Sequence, residues 1–260
     1  MSPREKIIKR EYTHLILLVD YSESMVWPYL NNMKYASDPT SKPYKQGLMD
    51  FKDAIQSAHS IALDSVRKSA VCLDGYLKVT QCLFNHGRIF INEDELVSPS
   101  GEDALSRLYQ IKEGPNGATA LYDVVYETIQ YTYQRKVLPV FESDFRGDQI
   151  IIALITDGKD TYCEGVSSYD SPKMYERNKD RKIEKIRNLM QKLKGFKTGA
   201  HNVLKSSVVI GLTNSMTQFT QKQLEQIKDD LYFDDCVNID NHDEKSLREA
   251  FKLMSVNSAR

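Results

Sequence analysis

At 260 residues, 41% of them hydrophobic and 27% charged, the chain is long enough to bury a sizeable core and too apolar to read as disordered. Its formal net charge of −1 excludes a global field drawing the molecule to nucleic acid or to an acidic membrane. Four scattered cysteines, Cys72, Cys82, Cys163 and Cys236, form no CxxC pair. With five isolated histidines they outline neither a zinc site nor a dense disulfide framework, so reduced thiols in a cytosolic protein are expected.

Short apolar runs alternate along the chain with segments of helical period, the pattern of strand–helix–strand units. The N-terminal stretch MSPREKIIKREYTH is basic but carries no apolar targeting core. His14 to Val19 reads as a strand covered on both faces, with His14 a hydrogen-bonded core residue. Leu48, Phe51, Ile55, Ala58, Ala62 and Val66 recur every three or four residues and predict an amphipathic helix. Gly75 to Phe84 and Arg88 to Ile91 read as two strands joined by a tight turn at Asn85-His86-Gly87. Helical period returns at Leu121, Val125, Thr128 and Thr132. Ile150 to Ile155 is the clearest buried strand, and this longest strongly apolar run is far too short to span a bilayer.

A lysine-rich helix follows, with Ile183, Ile186, Met190 and Leu193 on one face. Ser207 to Leu212 is a further strand. Thr220 and Gln223 form a capping box opening a helix with Leu224, Ile227 and Leu231 inward. Cys236 to Ile239 reads as a short strand, and Leu247, Ala250, Phe251 and Met254 line a last helix.

This order predicts a doubly wound α/β fold: a mainly parallel, six-stranded sheet with one antiparallel edge strand and helices on both faces. No repeat or low-complexity linker divides the chain. The expected organisation is an N-terminal extension (1–11), one domain (12–255) and a short tail (256–260), cytoplasmic as a whole. Three irregular inserts interrupt it, near 26–47, 137–147 and 162–171, and long loops in compact domains are often functional.

The candidate chemistry lies at strand ends. The first strand runs directly into Asp20-Tyr21-Ser22-Glu23-Ser24-Met25, and the most apolar strand into Thr156-Asp157-Gly158. Ligands of open parallel sheets bind beyond the carboxyl ends of the strands. Gly114 to Thr119 is a turn-rich loop that brings Thr119 to a helix start near the same rim. Carboxylates and hydroxyls, without imidazole or thiolate, suit a hard cation: magnesium first, with manganese or calcium as alternatives. Helix capping is the structural alternative for Asp20, Ser22, Ser24 and Thr119. Asp123 and Asp160 read as rim or helix-start charges rather than ligands.

These three motifs resemble the von Willebrand factor type A (VWA) domain over roughly Tyr12 to Met254. The matching segments are Asp20/Ser22/Ser24, Gly117-Ala118-Thr119-Ala120-Leu121-Tyr122-Asp123 and Thr156-Asp157-Gly158. The resemblance implies a Rossmann-like fold and a metal-ion-dependent adhesion site (MIDAS) formed by Asp20, Ser22, Ser24, Thr119 and Asp157. Glu23 departs from the pattern, since many relatives carry glycine there.

A non-enzymatic, metal-dependent protein-interaction module follows, in which a partner's Asp or Glu completes the ion's shell. As in stand-alone cytosolic bacterial relatives, the resemblance implies assembly or regulation of an intracellular complex, in some cases beside AAA+ ATPases or signalling enzymes. Trp27, Tyr29, Tyr162 and Tyr169 are candidate partner-binding aromatics of the rim, with packing of the loops as the alternative.

Two other readings come from different classes. A metal-dependent phosphohydrolase also uses strand-end aspartates, but Ser22 stands where a second, acid–base aspartate would be needed. An RNA-binding module would use the basic segment from Lys173 to Lys205, which carries eleven Lys or Arg against three acids but no interleaved aromatics.

Overall fold

The computed structural model describes residues 13–30, 34, 38–68, 77–96, 115, 117–137, 149–158, 160–198, 201–212 and 219–239. The expected last helix, the insert beyond Val137, the extension and the tail lie outside the described residues.

Strand β1 (Thr13–Asp20) is buried along its whole length. It leads into a single helical turn, α1 (Glu23–Val26), and a 3₁₀ turn at Trp27–Tyr29. Helix α2 spans Lys42–Lys68. The hairpin strands β2 (Leu77–Phe84) and β3 (Arg88–Leu96) precede α3 (Leu121–Thr132), which passes into a π-helical turn at Tyr133–Val137. Then come β4 (Gln149–Thr156), a small hairpin of β5 (Tyr162–Cys163) and β6 (Val166–Ser167), and α4 (Pro172–Gly195). A second small hairpin, β7 (Lys197–Thr198) and β8 (His201–Asn202), leads to β9 (Leu204–Leu212), α5 (Gln221–Leu231) and β10 (Asp235–Ile239).

The main sheet runs in the order β10-β9-β4-β1-β2-β3. Every pairing in it is parallel except β2 with β3, so the hairpin strand forms an antiparallel edge, as expected. Strand alternation divides the apolar residues between two faces. Leu15, Leu17 and Val19 join Ile151, Ala153 and Ile155 in a core closed by Phe51 and Ile55 of α2. Ile16 and Leu18 join Ile150, Ile152 and Leu154 in a second core closed by α3, α4 and α5. Burying each such side chain contributes about 1.5–3 kcal/mol, which makes the two central strands the most firmly held part of the sheet.

The insert after the first motif is shorter than the sequence reading put it. Residues 26–47 are not one irregular loop, because α2 begins at Lys42. The Ser41 hydroxyl accepts the Tyr44 amide at 3.2 Å, and Pro43 sits in the first turn, so a serine cap and an early proline start the helix. Tyr44 is buried in the first core, and Trp27 and Tyr29 pack against that core, Tyr29 with its ring centroid 5.6 Å from Phe51. Packing rather than display accounts for the contacts of these three aromatics. Tyr162 is half-buried, and Tyr169 stands 69% exposed.

His14 is fully buried, and its Nε2 is hydrogen-bonded to the Thr80 hydroxyl at 2.9 Å, the role expected of it. The capping box at Thr220 and Gln223 is present in both directions. Cys82, Cys163 and Cys236 are free thiols. Among the described residues no helix is long and apolar enough to cross a membrane.

Candidate functional site at the carboxyl ends of β1 and β4

The chain leaves β1 toward β2 on one side of the sheet, while β4, β9 and β10 build the other side. The carboxyl ends of β1 and β4 therefore straddle the point where the winding reverses, the place where open α/β sheets leave a crevice. Val19 pairs with Ile155, which puts Asp20 level with Thr156 and Asp157 one residue beyond. Both carboxylates are buried, Asp20 at 0% and Asp157 at 1% exposure.

Asp20 is held from two sides. Its Oδ1 accepts the Ser22 amide at 3.0 Å, and its Oδ2 accepts the Thr156 hydroxyl at 2.8 Å. Thr156 Oγ1 in turn accepts the Gly158 amide at 2.9 Å, which ties the two strand-end loops together. The hydroxyls of Ser22 and Ser24 lie 3.0 Å apart and are hydrogen-bonded, so the pair faces one point. Burial raises the Asp20 carboxyl well above its ordinary range, and the negative charge of Asp157 raises it further; hydrogen bonds from Ser22 and Thr156 oppose the shift.

Thr119 reaches the same end of the sheet through a backbone clamp. Its amide donates to Thr161 Oγ1 at 2.9 Å, and its carbonyl accepts the amides of Thr161 and Tyr162 at 2.9 and 3.0 Å. The next amide, at Ala120, donates to the Asn85 carbonyl at 2.7 Å. Ala120 is the N-cap of α3 and supplies no side-chain cap. The carboxylate of Asp160 does that work from the β4 loop, accepting the Leu121 amide at 2.7 Å. Thr119 itself is buried, at 2% exposure, and stands one residue before the cap.

Asp160 also accepts the Tyr175 hydroxyl at 2.7 Å. Burial pushes its carboxyl up to about 7 despite the opposing pull of those hydrogen bonds and of Lys179. Asp123 is a flank charge, receiving the Glu164 amide and the ammonium of Lys182, the latter at 2.8 Å. Glu23, the departure in the first motif, turns its carboxylate toward Gly117: a Cβ built there would lie 3.7 Å from Glu23 Oε2.

Asp160 plays the helix-start role that its sequence position suggested, and Thr156 belongs to the third motif; sequence reasoning missed Thr161, and it missed the partners of all three. Thr156, Asp160 and Thr161 act across 136, 39 and 42 positions of chain respectively, and no local pattern signals such bonds.

Part of the basic segment is paired with acids of the fold. Lys182 pairs with Asp123 and Glu164, Arg181 and Lys185 with Glu164, Arg187 with Asp230, and Lys194 with Asp234. Lys182 and Lys185 also lie over the Tyr126 ring, and Lys194 over that of Tyr232. These basic residues of α4 thus meet acids on both sides of it in sequence, Asp123 and Glu164 before it and Asp230 and Asp234 after it.

Known structures show the same architecture. The chain superposes on a von Willebrand factor type A protein from Catenulispora acidiphila with a TM-score of 0.53 at 16% identity, covering 96% of this chain and 43% of that one. It matches the PilB minor pilin of Streptococcus sanguinis with a TM-score of 0.56 at 12% identity, over 97% of this chain and 63% of that one. Proximal thread matrix protein 1 from the mussel byssus, solved with a zinc-occupied MIDAS motif, gives 0.52 at 15% identity over 94% and 47%.

The chain therefore has the α/β fold of VWA domains. It spans less than two thirds of the length of each of these proteins. No family model matches the chain, and no curated protein matches it.

Proposed function

We propose that this chain is a divalent-cation-dependent interaction module, in which Asp20, Ser22, Ser24, Thr119 and Asp157 hold one metal ion. The observation that carries the reading is the placement of two buried carboxylates, Asp20 and Asp157, at the ends of adjacent strands beside a pair of serine hydroxyls. Two negative charges at that depth repel each other, and a cation among them removes the repulsion. Among the described residues no three His, Cys, Asp or Glu side chains form a metal-holding group. The proposed set has only two carboxylates, and its remaining donors are hydroxyls.

An all-oxygen set of this kind fits Mg²⁺, with Mn²⁺ or Ca²⁺ as alternatives, better than a soft ion. The zinc reported in the mussel protein's site supports a divalent ion at this place in the fold. With few anionic ligands, the ion keeps positive charge for one further oxygen. A carboxylate from a partner's Asp or Glu is the natural complement, and the bond it makes requires the metal. The role proposed is assembly or regulation of a protein complex in the cytoplasm, without catalysis by this chain. A partner of the AAA+ ATPase or signalling-enzyme kind is one extension of that role.

Magnesium titration by calorimetry, with the wild type and Asp157→Ala, tests the reading. The wild type is expected to bind one ion and Asp157→Ala none, while both keep the same circular dichroism spectrum. Affinity capture from lysate with Mg²⁺ or EDTA tests the interaction. Retention of the same proteins in EDTA would remove the metal from the mechanism.

A further inference from the structure

Beside Asp157 lies a cavity of about 400 Å³, within the range of sites that take small ligands or single side chains. Its walls come from the β4 loop and from α3, α4 and α5. Three carboxylates line it, those of Asp157, Asp160 and Asp230, against one ammonium, that of Lys179. Tyr122 and Tyr175 line it as well, donating their hydroxyls to Asp230 and Asp160 respectively.

We propose that this cavity is a second binding site, built for an organic cation: the ammonium or guanidinium group of a basic side chain presented by a protein partner. The walls argue for the site by themselves. Only the assignment of that side chain to the metal-bound partner rests on the function proposed above.

The chain's own lysine shows that the pocket suits such a group. Lys179 Nζ lies 5.4 Å from the centroid of the Tyr122 ring, a cation–π contact, and its charge lowers the Asp160 carboxyl. Its nearest salt-bridge partner, Glu176, is 3.9 Å away on the exposed side, so Lys179 is only loosely held. A cation from outside would find the same ring and the same carboxylates.

The acids are fixed in place. Asp230 accepts the Tyr122 hydroxyl at 2.9 Å and the Gln226 amide at 2.8 Å, while Arg187 matches part of its charge at 3.5 Å. Asp160 is anchored by Tyr175 and by the Leu121 amide. Carboxylates held this way need no reorganisation to receive a donor. With a metal on Asp157, two carboxylates, those of Asp160 and Asp230, remain in the lining beside Lys179, and Arg187 offsets part of the Asp230 charge from outside it. An anion would meet repulsion there, and Phe219 and Ile227 are too little apolar wall for a greasy ligand.

Nuclear magnetic resonance titration of the ¹⁵N-labelled protein in EDTA tests the site independently of any metal. The probes are N-acetyl-arginine amide, N-acetyl-lysine amide, the neutral N-acetyl-glutamine amide, and spermidine as a free polyamine. The expected result is a saturable shift of the Gly158 backbone amide and the Gln223 and Gln226 side-chain amides with the arginine or lysine probe, and none with glutamine. Asp160→Asn is expected to weaken binding about tenfold through loss of a charge-assisted contact. Lys179→Met is expected to tighten it about threefold by removing the internal competitor. A gain of affinity cannot arise from misfolding.

Equal binding of the neutral probe, no localised shift, or weaker binding in Lys179→Met would overturn the proposal. Saturation by spermidine with neither amino-acid probe binding would overturn the assignment to a partner's side chain. Loss of magnesium binding in calorimetry with intact cation binding here would sink the metal reading alone.

Discussion

The strand-end rim and the helical flank of the molecule treat charge in opposite ways. At the carboxyl ends of β1 and β4, Asp20 and Asp157 are buried as like charges, held by hydroxyls and amides. On the flank, Asp123 and Glu164 meet Lys182, and Asp234 meets Lys194. The flank resolves its charges within the chain and gains stability from doing so, though exposed pairs gain little. The strand ends keep theirs in tension, which costs stability in the absence of a cation. Aspartate alone therefore says little about function; the sign of what faces it says more.

That contrast can be tested by substitution. The largest loss of stability is expected at the hinge of the strand-end loop. Gly158 has φ +83°, and a Cβ there would overlap the Phe219 ring, so Gly158→Ala should cost about 3 kcal/mol in urea unfolding. On the flank, Lys182→Met leaves Asp123 and Glu164 without their shared ammonium. A loss of about 2 kcal/mol is expected, discounted for the partial exposure of the acids, with magnesium affinity unchanged. Equal damage to metal binding would erase the distinction between the regions.

At the strand ends the sign should reverse. In EDTA, Asp157→Asn relieves the repulsion and should stabilise the fold by about 1 kcal/mol while abolishing metal binding. The pH dependence follows the same logic. Asp20 and Asp160 both have carboxyls raised in the folded state, so folding takes up protons. Their contribution is fully present below the ordinary value of 3.8 and is lost as pH rises, for Asp160 through about 7. Melting temperature in EDTA should therefore fall across that window, and the stabilisation by added Mg²⁺ should grow across it. The smallest effect is expected from Thr161→Val, which deprives the Thr119 amide of its acceptor. A loss of about 1 kcal/mol, with weaker magnesium binding, would mark Thr161 as a positioning residue.

Strands β1, β4 and β9 were legible in the sequence because a strand buried on both faces needs an unbroken apolar run. The capping box of α5 was legible because both its partners lie within one turn. The start of α2 was readable too, in Ser41 and Pro43, but the helical period was followed only from Leu48. The five proposed ligands stand on motifs of adjacent residues, and the structure brings Asp20, Ser22 and Ser24 together and links Asp157 to them through Thr156 and the shared field. The clamp around Thr119 was not legible. Its bonds join backbone groups to side chains and to other backbone groups some forty positions away, and only the folded sheet brings them within reach.

That clamp has a consequence for motion. Four hydrogen bonds cross between residues 119–121 and residues 160–162, so neither segment can shed its amides to solvent while the other stays closed. The loop bearing Thr119 and the one following Asp157 can open only as a single mechanical unit, and a load applied to α4 through Tyr175 reaches both at once.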